Sequence, residues 1–421
     1  MSSVDTNLPA ENPLRASQAP QSAQDYVTGY LRRLRGGDLG SLPIIIGLIL
    51  IGLFFQSQND NFFVPRNLVN LVVQMTGITI IAYGVVYVLL LGEIDLSISY
   101  VSAVAAVLMV LLLNPPAQWP DWVPALPWFV AVALALGAAL LIGLLQGTII
   151  TFFQLPSFVV TLAGFLAWNG VVLILIGGAG TVNIPRDSPI LGLTRSFLPD
   201  LWGWIAAAAF VAFNAFTQIM EMRSRQAKGL STRPLTIILA QTAGLALLVS
   251  VAVYICNLDR GVPIAGVVMV VLLIALSYVA TRTRFGRYIY AVGGNKEAAR
   301  RAGIATERIR VSVFMISSLM AGFGGIILAA RLGSVATNAG GGDLLLNSIA
   351  AAVIGGTSLF GGSGRVSSAV LGALVIATVD NGMGLLGLSA GVKFIVTGLV
   401  LLAAVILDSF SRRRQQRTGL R

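Results

Sequence analysis

The sequence predicts an all-α integral membrane protein, a polytopic bundle of about 10–12 transmembrane segments with some broken or re-entrant helices. Two features of composition point there: 56% of the residues are hydrophobic and only 11% charged, where a soluble domain carries about a quarter charged residues. The third observation is spacing. Apolar runs recur along the whole 421-residue chain, many close to the roughly 20 residues that an α-helix needs to cross a hydrocarbon core of about 30 Å.

Taken in order, the candidate segments are 41–57, 67–91, 95–113, 128–150, 157–177, 202–220, 234–256, 262–281, 310–331, 344–359, 364–387 and 391–410. Residues 1–40 are rich in Ser, Pro, Gln and Asn and end in Arg32, Arg33 and Arg35, which reads as a disordered cytoplasmic tail with a basic stop. The first apolar run begins near Leu42, too far in for a cleaved secretory signal. Residues 41–410 form the membrane domain, and residues 411–421 a basic cytoplasmic tail.

With the N-terminus inside, 22 of the 28 Lys and Arg residues fall in cytoplasmic pieces. The positive-inside rule therefore sets both termini in the cytoplasm, and the basic clusters beside apolar spans suit anionic lipid better than nucleic acid. Outer connections are Pro-, Gly- and aromatic-rich: Asn114–Pro124 and the stretch 177–200, with Trp119, Trp122 and Trp128 placed as interface anchors. The loop 220–233 between the sixth and seventh segments is a modest basic turn that fixes topology or makes a second contact.

One cysteine, Cys256, and no histidine leave no disulfide framework, no Cys/His metal cluster and no imidazole base. No metal site and no catalytic residue is expected.

The longest polar interruption runs from Arg282 to Arg310. Inside it Asn295 is a good N-cap, Glu297 lies in a first turn, Arg300 and Arg301 in a last turn, and Gly303 where a left-handed residue ends a helix. A helix of about 7 residues does not persist alone in water. Ala298, Ala299 and Ala302 give it a smooth face, so it reads as a short plug that docks into a groove.

Two further turns stand out. Gly92-Glu-Ile-Asp-Leu-Ser-Ile-Ser99 puts two carboxylates between apolar runs, where a mid-membrane charge would cost roughly 2.5–3.5 kcal/mol, so a turn is expected. Asp95 either N-caps the third segment or, with Glu93 and Ser97, lines a cytoplasmic gate. The run from Gly355 to Arg365 holds Gly355, Gly356, Thr357, Gly361 and Gly362. It lacks the Lys-Ser/Thr of a phosphate loop, and its glycines suit a broken or re-entrant segment, with a gating role overlapping the structural one.

Polar residues at depth are mostly uncharged: Gln74, Gln146, Asn169, Gln241, Asn347 and Asn381. They suit helix-to-helix hydrogen bonds or a hydroxyl-rich neutral substrate, and Gln74, Asn169, Asn347, Asp380 and Asn381 are the candidate pathway residues. Asp380 and Lys393 read as a structural pair near the outer mouth. A proton-coupled carrier would bury a chain of acids or histidines along its path, and this sequence offers one acid at depth and no histidine, so energy is expected to enter from elsewhere.

The motifs Asn67-Leu-Val-Asn-Leu, Gly92-Glu-Ile-Asp-Leu-Ser, Pro156-Ser-Phe-Val-Val-Thr-Leu-Ala-Gly164, Phe285-Gly-Arg287, Tyr290-Ala-Val-Gly-Gly-Asn295, Ala298-Ala-Arg300, Gly303-Ile, Gly355-Gly-Thr-Ser-Leu and Asp380-Asn-Gly stand in that order. This order resembles the permease subunits of bacterial monosaccharide ABC importers, the ribose/xylose permease family. The resemblance covers nearly everything from Asn67 to Asp408, and the extra segment pair around 202–256 makes it most like the xylose type.

That resemblance implies a multi-pass protein of the bacterial inner membrane that forms a dimer with a second permease copy. An ABC-type ATPase would carry ATP and magnesium, and a periplasmic sugar-binding protein would deliver the monosaccharide. The chain itself would bind no cofactor and catalyse nothing. Residues 282–310 would be the cytoplasmic coupling loop, and Glu297-Ala-Ala-Arg-Arg-Ala-Gly303 looks like the EAA-xxx-G element that fits an ATPase groove, although the Leu-Pro that often follows it is missing. The competing readings are a secondary sugar carrier driven by an ion gradient, favoured by segment count, and a non-transporting scaffold, weakened by the glycine-rich breaks.

Overall fold

The computed structural model describes residues 42–115, 124–230 and 234–399, with the single positions 28, 40, 232, 402 and 406. The expected tails, Trp119 and Trp122, and most of the last segment beyond residue 399 lie outside the described residues. Among the described residues, eight helices are long and apolar enough to cross a membrane, and four shorter apolar helices accompany them. Together they stand where the twelve apolar runs were read.

The first five helices are α1 (Leu42–Gln58), α2 (Pro65–Leu90), α3 (Ile98–Leu113), α4 (Trp128–Phe152) and α5 (Ser157–Ile176). After them come strand β1 (Thr181–Asn183), α6 (Pro189–Arg195) and β2 (Phe197–Leu198). Helices α7 (Asp200–Gln226) and α8 (Leu235–Asn257) supply a compact unit of their own, residues 201–254.

The remaining chain runs through β3 (Val262–Pro263), α9 (Ile264–Arg282), α10 (Arg284–Gly294), α11 (Lys296–Arg301), α12 (Thr306–Leu332), β4 (Ser334–Ala336), α13 (Leu344–Ile354) and α14 (Ser368–Leu385). The apolar helix α15 (Ala390–Leu399) follows.

In the larger unit the centre is set by burial. The apolar windows of α2 and α12 are 78% and 72% buried, against 28% for α4 and 22% for α5, so α2 and α12 are core helices, while α4 and α5 turn most of their surface outward. Helix α3 is short but almost wholly buried, from Ile98 to Leu111. Apolar side chains gain little by leaving lipid, so such helices associate through close backbone approach at small residues. Helix α12 uses Gly324 against Gly77 of α2, and Gly325 against the Ser102 carbonyl of α3, where a Cβ would collide.

Two antiparallel ribbons join distant loops. Strand β1 pairs with β4, Thr181 opposite Ala336, and β2 pairs with β3, Phe197 opposite Pro263. The sequence reading had only an irregular Pro- and Gly-rich connection over 177–200, because strands of two or three residues carry no readable alternation. Helix α10 lies inside the polar interruption although it is amphipathic: it buries Gly286, Ile289 and Val292 and exposes Arg284, Arg287 and Tyr288.

Gly325→Ala should lower the unfolding temperature of the detergent-solubilised protein, a loss of about 1–3 kcal/mol from overpacking. Gly137→Ala, whose Cβ meets nothing within 4 Å, should raise it, by up to about 1 kcal/mol of helix propensity.

Candidate functional site

The short helix expected in the polar interruption is present as α11, six residues long, or about 9 Å. Asn295 caps it, its Oδ1 accepting from Ala298 N at 2.9 Å. At the other end Gly303 N–H donates to the Arg300 carbonyl at 3.0 Å and Ile304 N–H to the Ala299 carbonyl at 3.1 Å, the paired bonds of a Schellman motif. Gly303 takes φ +83° there, a conformation that a Cβ strains. Both ends of the helix are therefore satisfied locally.

One expectation for α11 is corrected. Ala299 is only 5% exposed and belongs to the protein's own core, so it cannot be part of an outward docking face. In a helix two turns long, one side must pack inward. The exposed side carries Glu297, Ala298, Arg300, Arg301 and Ala302. Arg301 and Glu297 pair at 3.3 Å with both side chains mostly in solvent, which adds little stability.

The turn between α2 and α3 holds the second group of expected residues. Asp95 is not the N-cap of α3; that position is Ser97. Asp95 is buried, and its Oδ1 accepts from Ser97 N at 3.0 Å and Ser97 Oγ at 2.7 Å, while Oδ2 accepts from Ser317 Oγ of α12 at 3.0 Å. The Gln146 amide of α4 stands 2.9 Å from the same Ser97 hydroxyl. That hydroxyl has one hydrogen, already on Asp95, so the contact is satisfied when the amide turns its NH2 toward Ser97.

Glu93, two residues before Asp95, forms a buried ion pair with Arg310 in the first turns of α12. The turn's backbone is held as well. Ile94 N–H donates to Ser157 Oγ at 3.3 Å and Leu96 N–H to Thr161 Oγ1 at 3.1 Å, both at the start of α5. Helices α2, α3, α4, α5 and α12 thus share one polar knot in an apolar surround.

The glycine-rich turn after α13 closes on the same place. Gly362 N–H donates to the Leu90 carbonyl at the end of α2 at 2.9 Å. Gly293, near the end of α10, packs so closely on both groups that a Cβ would strike the Leu90 oxygen. Tyr290 O–H donates to the Gly364 carbonyl at 2.9 Å. Gly355 caps α13, Gly356 and Gly361 take positive φ, and Thr357 is buried beside Gly364. The two turns therefore meet at Gly92 and Gly361, beside Gly293 of the chain that leads into α11, while the expected gate residues Glu93, Asp95 and Ser97 bond to Arg310, Ser317 and Gln146 instead.

The five candidate pathway residues do not form one hydrogen-bonded group. Asn381 of α14 bonds Asn67 at 2.8 and 3.0 Å and Gln74 at 3.2 Å, a self-satisfied link between α2 and α14. Asn347 donates to Asp343 at 2.7 Å within its own helix start. Asp380 pairs with Lys393 at 3.8 Å, as read from sequence. Asn169 lies half-buried on α5.

Sequence reasoning missed Arg310, Ser317, Ser157 and Thr161. Arg310 was absorbed into a basic run that topology already explained. Ser317 and Ser318 in an otherwise apolar segment were a visible signal without a visible partner. Among the described residues no group of three or more Cys, Asp or Glu could hold a metal ion.

A family model described as branched-chain amino acid transport system / permease component matches residues 67–405. The chain is 38% identical to the xylose transport system permease protein XylH of Escherichia coli (strain K12) over 393 residues, 92% of this chain and 96% of that protein. It is 34% identical to the protein of the same description from Haemophilus influenzae, covering 91% and 99% of the two chains. With the ribose import permease protein RbsC of Escherichia coli (strain K12) the identity is 32%, over 87% and 92%. No solved structure matches the chain.

Asp95→Ala strands the Ser97 backbone N–H and the Ser317 hydroxyl in the core and should cost about 1–3 kcal/mol for each buried group left unpaired, seen as a marked fall in unfolding temperature. Asp380→Ala, at a half-exposed pair, should shift stability by less than about 1 kcal/mol.

Proposed function

We propose that this chain, which belongs to the family described as branched-chain amino acid transport system / permease component, is the membrane permease subunit of an ATP-driven monosaccharide importer, with a pentose of the xylose type as its substrate. The observation that carries the coupling half of this reading is α11, a short helix closed at both ends by its own caps, with Ala298, Arg300 and Ala302 exposed. A helix of six residues does not hold itself in water. Here Ala299 anchors it to the core and leaves the opposite side free to seat in a groove of a separate ATPase subunit.

The sugar half rests on relatives. Xylose and ribose permease proteins match this chain along nearly their whole lengths. A passage for such a neutral, hydroxyl-rich solute needs polar groups without fixed charge, and the membrane helices supply mainly amides and hydroxyls. Transport follows as a change between inward- and outward-open states biased by ATP binding on the partner. This chain contributes the pathway and the lever. It performs no chemistry.

In this arrangement α11 and both termini face the cytoplasm of an inner membrane, in keeping with the excess of Lys and Arg on that side. A second permease copy and a soluble sugar-binding protein complete the assembly.

Uptake of labelled xylose, ribose and glucose by vesicles holding the permease, its ATPase and its binding protein tests the reading. ATP-dependent accumulation of a pentose is expected. Uptake abolished by an ionophore but indifferent to ATP would instead establish an ion-driven carrier. Arg300→Glu with Ala298→Trp should abolish ATP-driven uptake while insertion into the membrane stays normal, because both side chains project outward. Ala299→Trp should instead unfold the protein, since that site lies in the core.

A further inference from the structure

The buried pair between Glu93 and Arg310 is placed to carry motion from α11 into the membrane helices. Helix α11 joins α12 through a tight turn at Gly303–Ala305, so the two cannot move independently by much. Arg310 lies in the second turn of α12, and Ser317 lies seven residues further on the same face, about 10 Å away. The first grips Glu93 and the second grips Asp95, so α12 holds the turn between α2 and α3 at two points.

That turn in turn holds the start of α5 through Ser157 and Thr161, and the end of α2 holds the glycine turn before α14 through the Leu90 carbonyl. A displacement of α11 either moves the whole junction or breaks the ion pair.

The pair is also incompletely satisfied. Arg310 Nε bonds Glu93 Oε1, while Glu93 Oε2 is buried with no hydrogen-bond partner among the described residues. A carboxylate gripped through one oxygen is held less firmly than one in a two-point fork. By contrast Asp95 has both oxygens bonded and forms the fixed end.

Resting on the transport function proposed above, we infer that Arg310 is a positioning residue of the transport cycle: its ion pair with Glu93 is the link through which α11 drives the Gly92–Ser97 turn, with Asp95–Ser317 as the pivot.

The test uses the assembled transporter in proteoliposomes, with labelled xylose uptake and phosphate release measured in the same vesicles. The double variant Glu93→Gln/Arg310→Met removes both charges and leaves no unpaired buried ion. It should keep the wild-type rate of ATP hydrolysis, because the exposed side of α11 is untouched, yet move about tenfold fewer xylose molecules per ATP.

Ser317→Ala deletes the second grip and leaves Asp95 Oδ2 without its donor while both Ser97 donors stay on Oδ1, and it should lower the same ratio by about fivefold. If the double variant fails to insert, Ser317→Ala decides alone. A wild-type ratio, or uptake and hydrolysis falling in parallel, overturns the link. A wild-type protein with no ATP-driven sugar uptake overturns the transport function itself, and the link with it, before any variant is compared.

Discussion

A carboxylate in the interior of an apolar bundle must be met by donors or be neutralised, and the arrangement of this protein's larger unit follows from how Asp95 is met. Its donors come from its own turn and from Ser317, two turns beyond Arg310 along α12. To bring Ser317 within 3.0 Å, α12 must lie against α2 and α3 at backbone distance, which the small residues at Gly77, Gly324 and Gly325 permit. The polar knot and the glycine contacts are two sides of one constraint. Dispersion and close packing hold the helices together, and the knot fixes their register.

The same constraint explains why the two glycine-bearing turns meet. Once α2 and α12 are in register, the end of α2 stands beside the end of α10, and only residues without a side chain fit between Leu90 and Gly362. The segment that precedes α11 is thus clamped by backbone, while α11 itself is held by one buried alanine and its caps. A firm base with a light, exposed tip is what a docking lever requires.

Much of this was legible in the sequence where the signal is local. Asn295, Glu297, the two arginines and Gly303 specify a capped helix within nine residues, and the structure has it. Apolar length gave the helices. What the sequence could not show is pairing across distance: Glu93 with Arg310 are 217 residues apart, and Asp95 with Ser317 are 222. Asp95 as an N-cap was a sound local expectation, but α3 is capped at Ser97, two residues later, and the carboxylate is shared between Ser97 and Ser317 of another helix. Ala299 looked like docking surface because a helix pattern gives three alanines one face without saying which side is the protein's own interior. Gln74 and Asn381 suited either helix-to-helix bonds or a pathway, and the bonds of Asn381 to Asn67 and Gln74 span 314 and 307 residues, too far along the chain to be suspected.

The central claim is that α12 is fastened to the Gly92–Ser97 turn through Glu93 and Arg310, and a double-mutant cycle tests it most directly. Unfolding temperatures would be compared for Glu93→Gln, Arg310→Met, the two together and the parent in detergent. Each single change leaves a buried charge or dipole unmatched and should lower stability by about 3–5 kcal/mol, while the double variant should be no worse than the worse single one. Strictly additive losses would mean that the two side chains act independently, and would contradict the account.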